Sequence, residues 1–466
     1  MRTLITAIVT TTLLVLSVPA RAQFGPAQGP RSERPYHGLF AGDTGSASQL
    51  LTFGATFATG YDSDIYASQY IEGRPPGAYG GSTTFLTGSA QLGYSLVKSR
   101  VAFSAGGGIG IGHYPGLQDD TLSRQNAQVG VSYQLGRHSI FSAGQSESYQ
   151  PLFFYAFLPI SVSAAQVSPV FDPGATTIAD TAVPPINGNQ PAISDAIVAP
   201  TAEYYLASES DVGFTQGLTK DLSLGLAYIY RRSDSQSGQR DFTASNASAR
   251  LNYIINKGLA AHAGYGYNDS YYAYTGTEPS RYYGHTVDAG VDYSKRLSFS
   301  RRTTFAFSTG TAFINDGVQT HFAVTGNAQL THEMGRSWVT GLSYVRAVSY
   351  VETFRAPALS DSLVAALDGS LSRNVQFGSA VGYTRGNVGF TANNYFNSTF
   401  ATAGLQVGLT RNWALSVDYA YYRYLFASGV LLPAGMGPNS SRQSIRAAIN
   451  FWQPLIERRR SANATR

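Results

Sequence analysis

Eight short polar turns, each carrying a basic residue, recur along the chain at nearly constant spacing. Neighbouring basic residues are 37 to 41 positions apart, except for one interval of 83 positions that holds a long insertion. A repeat of roughly 38 residues accommodates two strands, a tight turn and a loop, which is typical of an up-and-down β-barrel. The basic residues are Lys98, Arg137, Lys220, Lys257, Lys295, Arg336, Arg373 and Arg411.

The segments between the turns alternate apolar residues with small or polar ones. In 125–133, for example, Val129 and Val131 alternate with Gln128 and Gly130. Because residues i and i+2 of a strand share a face, each such segment has one apolar and one polar face. The polar face carries Gly, Ser, Thr and Asn rather than the Lys and Glu of a soluble sandwich, which favours a membrane barrel with a polar lumen. The same alternation occurs in 243–254, 286–293 and 413–421.

The pattern predicts an all-β fold, a transmembrane up-and-down antiparallel β-barrel of about 18 strands. Eight hairpins, one leading strand and one closing strand give this count, and about 16 strands are also compatible because boundaries read from a sequence vary by a few residues. The strands are predicted to begin near Leu50, Thr83, Arg100, Thr121, His138, Glu203, Asp221, Gln239, Gly258, Arg281, Thr303, Val318, Ser337, Ala358, Asn374, Phe396, Trp413 and Arg442.

The composition argues against several other classes of protein. Charged residues make up 13% of the chain, against roughly a quarter in soluble domains. The chain has no Cys, which removes disulfide and thiolate chemistry. Beyond the N-terminus no run of ~18 apolar residues could form a membrane helix. The formal net charge of +5 is too small to indicate a nucleic acid partner.

The N-terminus has the pattern of a secretory signal: Arg2, a mostly apolar run over 4–18, and small residues at Ala20 and Ala22. The short run and the well-formed cleavage site favour a cleaved signal over a membrane anchor. The chain is therefore predicted to have four parts. They are a signal peptide (1–22), a periplasmic lead-in (23–49), the barrel (50–452) and a basic periplasmic tail (453–466).

The last strand-like segment, 444–452, places Ile445, Ile449 and Phe451 on one face. It resembles the final strand of bacterial outer-membrane proteins, which ends in an aromatic residue that the outer-membrane assembly machinery reads. Phe451 is the candidate assembly-signal aromatic. The chain departs from that pattern because 466 − 451 = 15 residues follow Phe451.

With the repeated hairpins and the signal, this strand makes the chain resemble a porin-like outer-membrane β-barrel. The resemblance implies a Gram-negative outer-membrane location and contact with outer-membrane lipid. It also implies passive diffusion of small hydrophilic solutes and, as one assembly, a homotrimer. In trimeric porins the third outer loop often folds into the pore, so the insertion at 149–202, which is predicted to be the third outer loop, could act as a constriction or lid. A surface loop on the rim of the barrel is an equally acceptable interpretation.

Aromatic residues concentrate at two levels along the strands, which indicates girdles at the two membrane interfaces. The set near the turns is Tyr94, Tyr133, Tyr253, Tyr293, Trp338 and Trp413, and the set toward the loops is Tyr114, Tyr230, Tyr267, Phe313, Tyr350 and Tyr421.

Few charged residues fall on the predicted inner face. Rings of charge set ion selectivity in a narrow pore, so the aspartates could give a weak preference for cations. In the alternative interpretation, which we favour, the arginines pair with the aspartates and stiffen the wall. The candidate lumen-lining charges are Asp211, Arg250, Asp288, Asp292, Asp418 and Arg446.

The sequence contains no HExxH or His-x-His pattern, so neither a metal nor another cofactor is predicted. An outer-membrane enzyme is disfavoured because no nucleophile or acid pair stands out beside a positioned base. Two alternatives to a diffusion channel remain open. One is a polysaccharide export or secretion component that docks to periplasmic partners, and the other is a surface structural or adhesive barrel.

Overall fold

The computed structural model describes residues 47–63, 82–115, 121–150, 204–235, 240–256, 258–274, 278–297, 300–315, 319–335, 337–349, 356–391, 393–430 and 438–459. These residues form one 18-stranded antiparallel sheet in which each strand pairs with its neighbours in sequence. The first strand also pairs with the last, and the sheet is therefore a closed barrel. Within the described ranges, no helix is long and apolar enough to cross a membrane.

The strands are β1 (Ala47–Asp62), β2 (Thr83–Val97), β3 (Val101–His113), β4 (Thr121–Gln134), β5 (Ser139–Gln150), β6 (Tyr205–Gly217), β7 (Leu222–Ser235), β8 (Arg240–Asn256), β9 (Leu259–Tyr274), β10 (Ser280–Leu297), β11 (Ser300–Asn315), β12 (Thr320–Met334), β13 (Trp338–Ser349), β14 (Ala358–Ser370), β15 (Val375–Val388), β16 (Tyr395–Gly408), β17 (Trp413–Phe426) and β18 (Asn439–Arg459). The predicted barrel of 18 strands is confirmed, and every predicted strand start lies within three positions of the observed one. The count of 16 strands was wrong.

The short connections are held by a recurring hydrogen-bond pattern. Between β6 and β7, the backbone N–H groups of Leu218 and Thr219 donate to the carbonyl of Leu222 at 2.9 and 3.1 Å. The Thr219 hydroxyl accepts from the backbone N–H of Leu222 at 3.0 Å. Between β16 and β17, Thr410 and Trp413 repeat the arrangement. Ser and Thr favour such turns because their side chains satisfy backbone donors that the strand ladder leaves free.

Five of the eight basic residues lie in these short turns: Lys98, Arg137, Lys220, Arg373 and Arg411. Lys295 instead lies inside β10, because that strand continues to Leu297. The other two, Lys257 and Arg336, lie outside the described residues, as does nearly all of the predicted third outer loop, 149–202. An even strand number places the start of β1 and the end of β18 at the turn end of the barrel.

The ladder between β1 and β18, which is the seam of the barrel, extends beyond the predicted barrel boundaries of 50–452. β18 continues through Arg459, so residues 453–459 of the predicted tail are strand, and β1 begins at Ala47 within the predicted lead-in. Pro454 has no backbone N–H to donate to the ladder. A register shift between Leu51 and Thr52 accommodates it, and the ladder then resumes. The predicted signal peptide (1–22) lies outside the described residues.

One testable consequence concerns Gly382 on β15, whose missing side chain makes room for a ring. A Cβ atom there would lie 2.0 Å from Cε1 of Phe400. We expect Gly382→Ala to destabilise the barrel by roughly 1–3 kcal/mol through overpacking. The measurement is urea unfolding of the refolded barrel in lipid vesicles. Gly88→Ala is the control, because nothing lies within 4 Å of a Cβ built there. Equal unfolding midpoints for the two variants would contradict this packing.

Candidate functional site

The two faces of the barrel wall differ in exposure and chemistry. On β17, Leu415, Val417 and Tyr419 are 40%, 46% and 39% exposed, whereas Ser416 and Ala420 on the alternate row are 8% and 3% exposed. Side chains on the concave side of a closed wall crowd one another. The buried set of small and polar residues is therefore the inner face, and the exposed apolar set is the outer face.

The apolar outer face continues around the barrel. Phe57 on β1, Ile109 on β3, Phe322 on β12 and Val381 on β15 are all more than half exposed. So continuous an apolar surface is unfavourable in water. A closed barrel satisfies its backbone hydrogen bonds internally and can place this belt against lipid, as bacterial outer-membrane barrels do. The candidate functional site is therefore the inner face.

The register places all six candidate charges on the inner-face rows. Asp418 on β17 is the direct cross-strand partner of Arg446 on β18, and the two interact electrostatically. The direct partners of Asp211 are uncharged, namely Gly144 and Ile229.

Arg250 on β8 and Asp288 on β10 are not direct partners, because Gly264 on β9 pairs with both of them in the register. Asp292 faces Ala260 across the β9–β10 ladder. The side chains of Asp288 and Asp292 lie outside the described part of the structure.

A deeply buried ion pair of the inner face, between Asp62 and Arg442, was not predicted from the sequence. Arg442 Nε donates to both carboxylate oxygens of Asp62 at 2.8 Å, and Nη2 donates a further bond to Oδ2. The two side chains are only 1% and 7% exposed. Asp62 ends β1 and Arg442 lies near the start of β18, so only closure of the barrel brings them together.

A second inner-face pair was also missed by sequence analysis. Arg231 Nε donates to Glu209 Oε2 at 2.6 Å, and the two residues are direct partners on β6 and β7. Their side chains are 54% and 31% exposed, so this pair lies open toward the lumen. Among the described residues, acidic and basic side chains thus face each other across adjacent strands at three places on the inner face: 62/442, 209/231 and 418/446. The sequence carried a usable signal in strand parity, which places all of these residues on the inner-face rows.

Tyr114 does not join the outer aromatic girdle, so that expectation was wrong. It follows β3, is 6% exposed, and stacks on Phe85 with ring centroids 5.6 Å apart. Its ring occupies the space beside Gly112, where a Cβ would lie 2.5 Å from the ring. Burial raises the pKa of the Tyr114 phenol, and the positive charges of Arg442 and Arg124 oppose that rise.

Phe451, the candidate assembly-signal aromatic, lies on the outer face near the turn end. Its ring centroid is 4.8 Å from that of Trp413 and 6.2 Å from that of Phe53. The strand continues past it to Arg459, so an assembly signal at Phe451 would be internal to β18. Its role in assembly stays a prediction.

No group of three potential metal-ligating residues occurs among the described residues. The described part of the inner face presents small polar groups, cross-strand ion pairs and aromatic rings. This chemistry suits the passage or binding of hydrated solutes.

No family model matches the chain, and no curated protein matches its sequence. Among solved structures, Acinetobacter baumannii OccAB4 is 11% identical with a TM-score of 0.42, over 89% of this chain and 100% of that one. Pseudomonas aeruginosa OccK5 is 12% identical with a TM-score of 0.41, over 88% and 99%. The siderophore receptor PirA from Pseudomonas aeruginosa is 8% identical with a TM-score of 0.41, over 92% and 85%. At these identities and TM-scores the likeness carries no argument about this chain.

The Asp62–Arg442 pair generates a stability prediction. Arg442→Leu leaves the Asp62 carboxylate buried without its partner, and breaking a buried pair in this way costs about 3–5 kcal/mol. We expect a corresponding fall in the free energy of unfolding, measured by urea titration of the refolded protein.

Arg281→Leu is the matched control, because Arg281 pairs with Asp269 while its side chain is 64% exposed. Solvent screening leaves such an exposed pair with little contribution to stability. The double variant Asp62→Leu/Arg442→Leu should recover most of the loss, since it leaves no charge unpaired. An Arg442→Leu protein as stable as the control would contradict the role assigned to this pair.

Proposed function

We propose that this porin-like outer-membrane β-barrel is a passive channel for small hydrophilic solutes. The observation that carries the proposal is the closed wall of 18 strands with a polar inner face. Side chains fill the interior of an eight-stranded barrel, whereas barrels of about 16–18 strands leave an aqueous channel. Solutes then cross by diffusion along their own gradient.

The chemistry of the inner face supports passage of hydrated solutes. Its turn-end half carries small or amide side chains such as Ser416, Gly404, Gln406 and Asn450. Such groups replace some of a solute's hydration without binding it tightly, and a channel must also release what it admits.

The cross-strand ion pairs favour weak discrimination between cations and anions. Arg231 faces Glu209, and Arg446 faces Asp418, so positive and negative groups stand side by side along the wall. The field of a close acid–base pair falls off faster than that of a single charge. Width should therefore discriminate among solutes more strongly than charge does.

The first test is the conductance of the refolded mature protein in a planar lipid bilayer. We expect stable current steps from protein whose folding is verified by its heat-modifiable mobility on electrophoresis. The control is the same protein unfolded before addition, which should give no steps. Silence from folded protein would contradict the channel and favour the structural or adhesive barrel, or an export component that opens only with its partners.

Charge selectivity provides a second prediction. Arg446→Gln removes the positive partner of Asp418, so the reversal potential in a salt gradient should shift toward cation selectivity. Asp418→Asn should shift it the opposite way. Arg232→Gln is the control, because Arg232 pairs with Asp234 at 2.7 Å on the outer face and should leave the potential unchanged. Identical reversal potentials in all four proteins would contradict a lumen lined by Asp418 and Arg446.

A further inference from the structure

Aromatic side chains on the inner face concentrate at the loop end of the barrel. On β17 the inner-face row begins at the turn end with small residues and ends at the loop end with Tyr422, Tyr424 and Phe426. On β16, Phe396 and Phe400 hold the same level. Phe426, Phe396 and Phe400 are at most 4% exposed and belong to one apolar cluster. An apolar cluster is unexpected on the inner wall of a channel for hydrophilic solutes.

This cluster is contacted by a residue that belongs to a distant part of the wall. Tyr282 on β10 packs against it, although its members lie on β14 to β17 and the connections beside them. Three whole strands, β11 to β13, separate β10 from β14 along the wall. Tyr282 also meets the ring of Tyr272 edge-on, with centroids 5.9 Å apart. Rings from separate parts of the wall therefore approach each other at the loop end.

A second contact spans non-neighbouring strands at the same end. Phe390, in the connection between β15 and β16, stacks on His321 of β12 with ring centroids 4.8 Å apart and an interplanar angle of 15°. The backbone reaches this position through two left-handed residues, Gly389 (φ 63°) and Phe390 (φ 57°). That conformation is unfavourable for a phenylalanine, and such strain persists only where the surroundings hold it and often marks a functional site.

The connection that carries Phe390 is anchored to its neighbours. The backbone N–H of Gly389 donates to the carbonyl of Pro357 at 2.9 Å, and the backbone N–H of Val388 donates to the carbonyl of Asn394 at 2.9 Å. The Thr391 hydroxyl donates to the carbonyl of Gly389 at 3.2 Å. These bonds hold the Phe390 ring against His321, which lies on an inner-face row of β12.

We infer that these aromatic residues form a collar that is the narrowest part of the lumen and sets the size of the solutes that pass. The aromatic collar is defined by Tyr282, His321, Phe390, Phe400, Tyr422 and Phe426. The inference rests on the proposed channel function and specifies what limits it. The collar is built from the wall and one short connection.

The test compares collar variants with neighbours that point outward. Tyr282→Ala and Phe390→Ala each remove a ring from the lumen, so we expect larger single-channel conductance and passage of larger uncharged polymers. The controls are Tyr283→Ala and Phe322→Ala, whose rings lie on the outer face beside Tyr282 and His321 and are 38% and 59% exposed. The inference is overturned if folded collar variants have the same single-channel conductance as their controls.

A second measurement separates the collar from the channel proposal. The chain has no Cys, so Ser248→Cys introduces a single thiol on the inner face of β8, on the turn side of the collar. In intact cells, membrane-impermeant thiol reagents reach it only from outside. We expect Tyr282→Ala and Phe390→Ala to accelerate labelling by a bulky reagent more than labelling by a small one. Equal acceleration or none would overturn the collar. Faster labelling by the bulky reagent, with no current in any bilayer, would support the collar and contradict the open channel.

Discussion

Closure of the sheet is the constraint on which the rest of this structure depends. A bilayer core offers no hydrogen-bond partners, so an open sheet edge cannot exist there and the first strand must pair with the last. The β1–β18 ladder runs from Ala47↔Arg459 to Asp62↔Ser444, and it includes a register shift that accommodates Pro454. The buried Asp62–Arg442 pair fixes the same seam at the loop end.

Closure also places the two faces of each strand in different environments, one against lipid and one toward the lumen. The outer rows carry exposed Leu, Val, Ile, Phe and Tyr, which a lipid environment covers. The inner rows are crowded by curvature, and small residues there make room for their neighbours. Gly382 makes room for Phe400, and Gly112 makes room for Tyr114. The packing of the inner wall is therefore decided by pairs on adjacent strands rather than by any strand alone.

These interior details shape the proposed transport. Acidic and basic groups facing each other across strands, as in Glu209–Arg231, leave little net field for selecting ions. Aromatic rings concentrated at the loop end leave width as the main discriminator. A rigid aromatic collar above a small-residue wall would admit solutes by size and then hold them weakly, which is what rapid passive diffusion requires.

The sequence by itself predicted about 18 strands while leaving 16 open, placed every strand start within three positions, and indicated which residues share a face, because these depend on local periodicity and turn chemistry. Turn residues such as Thr219 and Thr410 carried that information directly. The tertiary structure alone decided which distant residues meet. Asp62 and Arg442 are 380 positions apart, and Phe390 stacks on His321 although β13 and β14 separate β12 from β15 along the wall. Tyr114 stacks on Phe85 only because β2 and β3 pair. Local periodicity decides the face of the strand on which a side chain lies, whereas the pairing of strands distant in sequence decides which residues that side chain contacts.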